Sequence, residues 1–323
     1  MKTYSCTEFD RMIWEEELSG FVPQKIFDAH AHIWNDRFAL PETAESPFRI
    51  TAGLAEMRAH TEQLFPGRES HFFMLGTPLP VFDFEGDHVW AAAEAEKDNG
   101  NSATAILVTP QMSPDKLADF VKKTNVRGFK PYRLYAADPA NCDITDYLPE
   151  AQIEVANHYK MIVVLHLSKP DGAANERNQK QLADFDKRYP NVTWQLAHCA
   201  RAFNPFTLEK SIHFYKELEH ICYDSSAVCD LYSHYLLMKH DRKRMMFGTD
   251  NIVAGSDHGK YITWGKAWEF FPGMDREFCD SRSTFVVYEQ LRCQKRAADI
   301  LNLSSTEIED LFYNNAQRII FNK

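Results

Sequence analysis

The sequence predicts an α/β fold of the (β/α)8 TIM-barrel type, with an N-terminal helix before the barrel and extra helices after it. Three observations carry that prediction. Short apolar runs alternate with longer amphipathic stretches along most of the chain. There are eight such runs, apolar almost throughout, as parallel strands buried on both faces must be. The doubly wound open sheet, the main competitor, is weakened by the count of eight and by the lack of a G-x-G-x-x-G turn. A length of 323 residues suits a single barrel with additions.

The elements follow in order. Residues 1–24 read as one helix covering the outside or bottom of the barrel. The barrel itself is expected over 25–258. Its strands are 25–32 (KIFDAHAH), 71–77 (HFFMLGT), 103–109 (ATAILVT), 126–132 (VRGFKPY), 161–167 (MIVVLHL), 192–198 (VTWQLAH), 220–226 (HICYDSS) and 244–250 (RMMFGTD). Helical patterns lie between them at 51–65, 113–124, 145–159 and 178–189. Ser113 before Pro114 reads as an N-cap followed by proline at the first helical position. From 259 to 323 there is too much helix for one crossover, and AWEFF (267–271), 285–302 and 305–321 read as further helices packed on the barrel. The serines at 304 and 305 with Glu307 make a capped helix start.

Composition excludes several functions. The net charge is −10, from 36 basic and 46 acidic residues, and no Lys/Arg-rich run occurs, which argues against nucleic acid. No apolar stretch is long enough to cross a membrane. The first twenty residues are acidic and aromatic, unlike a signal peptide. The seven cysteines are scattered, with no C-x-x-C pair, and fit reduced thiols in a cytoplasmic protein.

Barrel enzymes place their chemistry at the C-terminal ends of the strands. There this sequence puts His30 and His32, Lys130, His166, His198 and Asp250. Asp28, His30 and His32 share one row if the strand alternates regularly. Lys130 and His166 are 36 residues apart and His166 and His198 are 32 apart, each about one strand-plus-helix unit. Singly, each has a plain reading: a core histidine, a helix cap, a lysine reaching solvent. Jointly, six residues of metal-site type in register with the repeat point to one cavity. Cys199 beside His198 should turn away from that cavity, so no Cys-His nucleophile is read there.

D-A-H-A-H on the first strand, Lys on the fourth, His on the fifth and sixth and G-T-D on the eighth resemble the amidohydrolase superfamily. GFKPYR and IEDLFYNNAQRIIF resemble its amidohydrolase-related (amidohydrolase 2) branch, over roughly residues 25–321. The resemblance implies a metal-dependent hydrolase in which His30, His32, His166 and Asp250 hold one divalent metal, most simply zinc, with manganese or iron as alternatives. Asp250 would be the general acid/base, with His198 across the site polarising a carbonyl or binding a second metal. Lys130 would be either a plain cation for a substrate carboxylate or, carboxylated, the bridge between two metals; one metal is favoured. Tyr132, Arg133, Arg201 and Trp34 are candidate substrate contacts. Asp224, Ser226 and Asn35 are candidates to line the pocket, and the loop after the eighth strand, with His258, is a candidate lid. The expected substrate is a small molecule with an amide, lactone or related bond, open to carrying a carboxylate. A non-oxidative decarboxylase of the same superfamily is the alternative, and a non-catalytic barrel binding protein the third reading. A homo-oligomer stays open.

Overall fold

The computed structural model describes residues 5–38, 51–76 and 83–322. Eight strands form one sheet in sequence order: β1 (Lys25–His32), β2 (Glu69–Leu75), β3 (Ala103–Val108), β4 (Gly128–Pro131), β5 (Ile162–Leu165), β6 (Thr193–Leu196), β7 (Ile221–Asp224) and β8 (Met245–Met246). Neighbours pair in parallel, from β1–β2 through β7–β8. The seam between β8 and β1 is joined by backbone hydrogen bonds from Ala29 to Phe247 (2.9 Å) and from Asp250 to His30 (2.8 Å), and by a bridge between Ala31 and Asn251. The strands thus close into the expected (β/α)8 barrel. The eighth strand is shorter than its sequence pattern suggests. Past Met246 the chain leaves β7 and runs against β1 instead.

Two apolar layers flank the strands. Phe27, Ala29, Phe73, Ala105, Ile162, Val164 and Met246 fill the lumen, where Ala316 and Ile320 of the last helix join them. The opposite strand faces carry Ile26, Val163, Trp194 and Tyr223 into the layer under the helices. Burial of each such large side chain contributes about 1.5–3 kcal/mol.

On β1 the alternation is interrupted. The pairing register with β2 shifts between Asp28 and Ala31. Phe27 and Ala29 belong to the lumen cluster, whereas Ala31 and Ile33 belong to an outer one. A bulge inserts one residue and so exchanges the faces. His30 and His32 therefore face inward after it, while Asp28 does not share their row. Its carboxylate accepts from the Thr249 N–H (3.0 Å) and hydroxyl (2.5 Å) across the seam.

Two helical expectations are corrected. The 145–159 pattern is two helices, Ile144–Tyr147 and Glu150–His158, because Pro149 lacks an N–H and disfavours helix at Leu148. AWEFF is a strand, β10 (Ala267–Phe271), antiparallel to β9 (Lys260–Trp264). Gly265, at φ +57°, opens the two-residue turn between them, and the aromatic and β-branched residues on either side suit a hairpin. The N-terminal helix Glu8–Ile13 is closed by a Thr7/Asp10 capping box and continues as a π-turn over Trp14–Leu18. Val286–Leu301 and the pieces from Ser305 to Phe321 are helical, and Ser304 caps the latter through Glu307.

His88 and His234 are buried on helices, outside the set of strand-end residues singled out above. Each donates from Nε2 to a carbonyl, of Leu107 and of Val228, at 2.7 Å. Burial pulls both down to about 4, with the carbonyl bonds opposing. Unfolded, each takes up a proton near pH 6.5, so their stabilisation is full above that pH and is lost as the pH falls toward 4. Urea midpoints measured from pH 7 to pH 4.5 are expected to fall steeply. Substituting His234→Gln should remove part of that slope, up to about 3 kcal/mol across the window; an unchanged slope would exclude His234 as its source.

Candidate metal centre

Six side chains meet at the C-terminal mouth of the barrel. His30 and His32 come from β1. Lys130 is within β4, buried. His166 follows β5 directly, and His198 and Asp250 follow β6 and β8. Among the described residues, two groups have ligand atoms close enough to share a cation: His30, His166 and His198, and His30, His32 and Asp250. His30 is common to both. The Nε2 atoms of His166 and His198 are 2.9 Å apart. Asp250 Oδ1 is 3.3 Å from His32 Nε2 and 3.5 Å from His30 Nε2. Lys130 Nζ is 3.4 Å from His30 Nε2, and the Tyr132 hydroxyl is 3.4 Å from His32 Nε2.

The far nitrogens of three imidazoles are occupied. His30 Nδ1 faces Asp224 Oδ2 at 2.9 Å, His32 Nδ1 the Gly76 carbonyl at 3.3 Å, and His198 Nδ1 the Ser226 carbonyl at 3.0 Å. An N–H donated on that side leaves Nε2 as the lone-pair nitrogen pointing inward. Asp224 is itself held by Gln195 Nε2 (2.8 Å), the Ser226 hydroxyl (2.5 Å) and the His198 N–H (3.1 Å). Gly248 leaves room for this packing, since a Cβ there would lie 3.0 Å from the Cβ of His30.

The backbone at two of these residues is held against its preference. His198, Cys199, Ala200 and Arg201 all have φ between 52° and 62°, and Asp250 has φ +57°. A left-handed run of non-glycine residues costs about 1–2 kcal/mol per residue. The contacts of His198 with Asp224 and Ser226 oppose that cost, as does the Arg201 guanidinium on the carbonyls of Leu167 (3.0 Å) and Lys169 (3.1 Å). By strand alternation His198 would face the helix layer; the left-handed turn brings it to the centre.

Charge is arranged for a cation. Burial lowers His30 to about 3 and holds His32 and His166 below the ordinary histidine value, so all three are neutral ligand-type bases at pH 7. Burial raises Asp250, but the His32 contact and the neighbouring imidazoles outweigh it and hold it at about 2. Asp224 behaves likewise, with His30 keeping it below the carboxylate range against burial. Lys130 is pulled down to about 8 by burial, opposed by Asp224 and Asp250. Three inward lone pairs, two ionised carboxylates and a convergence of ligand atoms fit a divalent ion.

The remaining expected residues divide. Tyr132 is at the centre. Arg201 is partly buried beside Arg133 and 5.8 Å from the Trp268 ring. Arg133 donates to the Pro139 carbonyl at 2.6 Å, and among the described residues neither guanidinium makes an ion pair. Trp34 is buried, its indole N–H donating to Asp36 at 2.6 Å, with Ala52 and Ile252 around it. Asn35 accepts from the Arg37 N–H. His258 is 2.8 Å from Asp10, outside the cluster. Asp224 and Ser226 stand behind the histidines instead of lining the opening. Cys199 is buried, its Sγ 3.9 Å from His234 Nδ1, and its thiol is pushed up by burial. Sequence reading missed Gln195, whose signal was a polar residue alternating with Trp194 and Leu196 in an apolar strand. It also missed Phe203, and it placed Tyr261 and Trp268 only within the candidate lid loop. Phe203 lies between His198 (5.4 Å) and Trp268 (4.1 Å), with Tyr261 at 4.8 Å, and forms a wall.

A profile of the family described as Amidohydrolase matches residues 27–321. No curated protein matches the chain. Solved structures share the fold at low identity. One is a probable 2-pyrone-4,6-dicarboxylic acid hydrolase from Acinetobacter baumannii with citric acid bound, at 12% identity and TM-score 0.57, covering 92% of this chain and 99% of that one. Another is 5-carboxyvanillate decarboxylase from Novosphingobium aromaticivorans, complexed with manganese and a nitrobenzoic acid, at 12% and 0.55, covering 94% and 97%. A third is 4-oxalomesaconate hydratase from Rhodopseudomonas palustris, at 17% and 0.53, covering 91% and 95%.

If Asp224 sets the tautomer of His30, Asp224→Ala should weaken Zn²⁺ or Mn²⁺ binding by about 10–100-fold. A titration against a competing chelator reads this directly, and unchanged affinity would remove Asp224 from the site.

Proposed function

The chain belongs to the amidohydrolase family, whose members are metal-dependent enzymes, and from that premise we propose that it hydrolyses an ester-like or amide bond in a small carboxylated substrate. The meeting of His32 and Asp250 with His30, and of His166 with the same His30, carries the proposal. These four would hold one divalent metal, zinc by donor chemistry, with manganese or iron as alternatives. Held by these residues, such an ion would supply the acidity that brings a water's pKa toward neutrality and would polarise a carbonyl.

The chain's own groups supply the rest. Asp250, ionised at pH 7, accepts the proton of the attacking water and returns it to the leaving group. His198 stands beside His166 with Nε2 turned inward, where it can donate to developing negative charge once protonated. Lys130 is a buried cation next to both carboxylates and is assigned here as a plain charge. Carboxylated, it would instead support a two-metal site. The aromatic wall and the seated Tyr132 keep water away from the reacting bond.

The carboxylate part of the reading rests on Arg201 and Arg133. Two neighbouring guanidiniums with no ion pair among the described residues are a costly arrangement that an anion relieves. The bound citric acid and the dicarboxylic and carboxyvanillate names of the similar structures agree with it. The same observation supports a second reading, loss of CO₂ from a carboxylated substrate, with Asp250 or His198 protonating the carbon.

Asp250→Asn is expected to lower turnover by at least about 10³-fold while retaining a measurable metal stoichiometry. Carboxylated lactones and carboxylated phenols assayed in ¹⁸O-water separate the readings: label in the product supports hydrolysis, and unlabelled product with CO₂ released supports the lyase. Arg201→Gln should raise KM for either class by about 10–100-fold. A fully active Asp250→Asn variant would end the acid/base assignment.

A further inference from the structure

The loop after β8 carries an arm, the β9–β10 hairpin, whose Trp268 stacks on Phe203 and whose Tyr261 packs against it at a tilt, beside His198. The arm enters at His258 and Gly259 and leaves at Thr284. There Gly259 N–H donates to the Thr284 carbonyl at 2.9 Å, and His258 bridges to Phe285. Both roots meet one residue of the N-terminal segment. Asp10 Oδ2 is 2.8 Å from His258 Nε2, and Asp10 Oδ1 accepts from the Thr284 hydroxyl at 2.6 Å. Asp10 is fully buried, and its remaining capacity is taken by the N–H and hydroxyl of Thr7.

A second route joins the same two elements. Glu17, at the far end of the N-terminal segment, pairs with Arg292 at 2.9 Å. Arg292 pairs with Glu289 at 3.0 Å, and Glu289 with Lys260, the first residue of β9, at 3.0 Å. A third contact places the Arg282 guanidinium 4.1 Å from the centre of the Phe9 ring. Isolated surface pairs of this kind contribute little. Here they converge on a two-stranded hairpin, which is marginal by itself.

We propose that residues 7–17 are a brace for the arm, with Asp10 the positioning residue that fixes Tyr261 and Trp268 against Phe203 at the mouth of the metal site. A buried carboxylate that serves only its own helix cap needs the Thr7 contacts alone. The bonds to His258 and Thr284, 248 and 274 residues away in sequence, tie the cap to both roots of the arm. The brace would set the width of the mouth and thereby which substrates enter. This inference rests on the site being where the family places it, but not on which bond is broken.

The test needs neither substrate nor metal, so its failure is distinct from failure of the proposed reaction. Hydrogen exchange is followed by mass spectrometry on the full chain and on Asp10→Ala and Arg292→Gln separately. In both variants the amides of residues 258–271 are expected to exchange about tenfold faster or more, with β1 to β7 unchanged. The near-UV circular dichroism band removed by Trp268→Phe should shrink in parallel. Unchanged arm exchange in both variants would overturn the proposal, as would acceleration spread evenly over the barrel. Should Asp10→Ala fail to fold, Arg292→Gln decides by the same criteria, since it leaves the buried carboxylate paired.

Discussion

The seam where the barrel closes is the constraint on which the site depends. β8 contributes only Met245–Met246 to the regular ladder. Closure is completed by residues 247–251 lying along β1, and those residues include Asp250. The same few backbone bonds therefore shut the barrel and set Asp250 next to His30 and His32. Asp28, raised to about 7 by burial against the pull of Thr249 and His30, ties the two sides together with its carboxylate. Gly248 lets them approach without a side chain between. Fold stability and ligand geometry are thus the same interaction, and one cannot be relaxed without the other.

Around that seam the chain keeps a ring of polar groups that the apolar lumen would otherwise forbid. An imidazole buried without a partner costs several kcal/mol, whereas one that donates from Nδ1 and coordinates from Nε2 is satisfied on both sides. Asp224, Gln195, Ser226 and the Gly76 carbonyl provide the outer half of that arrangement. The inner half is complete when a cation sits among the Nε2 atoms. The left-handed turn at His198–Arg201 has the same logic: backbone strain is retained where it delivers an imidazole and a guanidinium to one opening.

The barrel makes the floor and holds the candidate ligands, and less regular elements make the walls. Phe203 follows the strained turn, and Tyr261 and Trp268 come from a hairpin outside the eight-fold repeat. In the proposed function, discrimination among substrates falls to these elements, because they can vary without disturbing the seam.

The sequence by itself determined the eight-strand barrel and the strand-end positions of His30, His32, Lys130, His166 and Asp250. Apolar strand runs, and polar residues ending them at the spacing of one strand-plus-helix unit, are local patterns in the chain. It also determined the Ser113 and Ser304 caps, which need only neighbouring residues. The tertiary structure alone decided which way those residues face. The bulge at Asp28–Ala31 depends on pairing with β2, and it separates Asp28 from the row of His30 and His32 that simple alternation predicts. His198 reaches the centre through positive φ angles that no residue type there announces. AWEFF has no helix-or-strand signal strong enough at five residues, and the hairpin is fixed by its partner KYITW and by Gly265. Asp224 behind His30, and Asp10 beneath the arm, are long-range contacts of 194 and 248 residues' separation. Such contacts arise only when the closed barrel brings the ends of the chain together, so no local pattern can encode them.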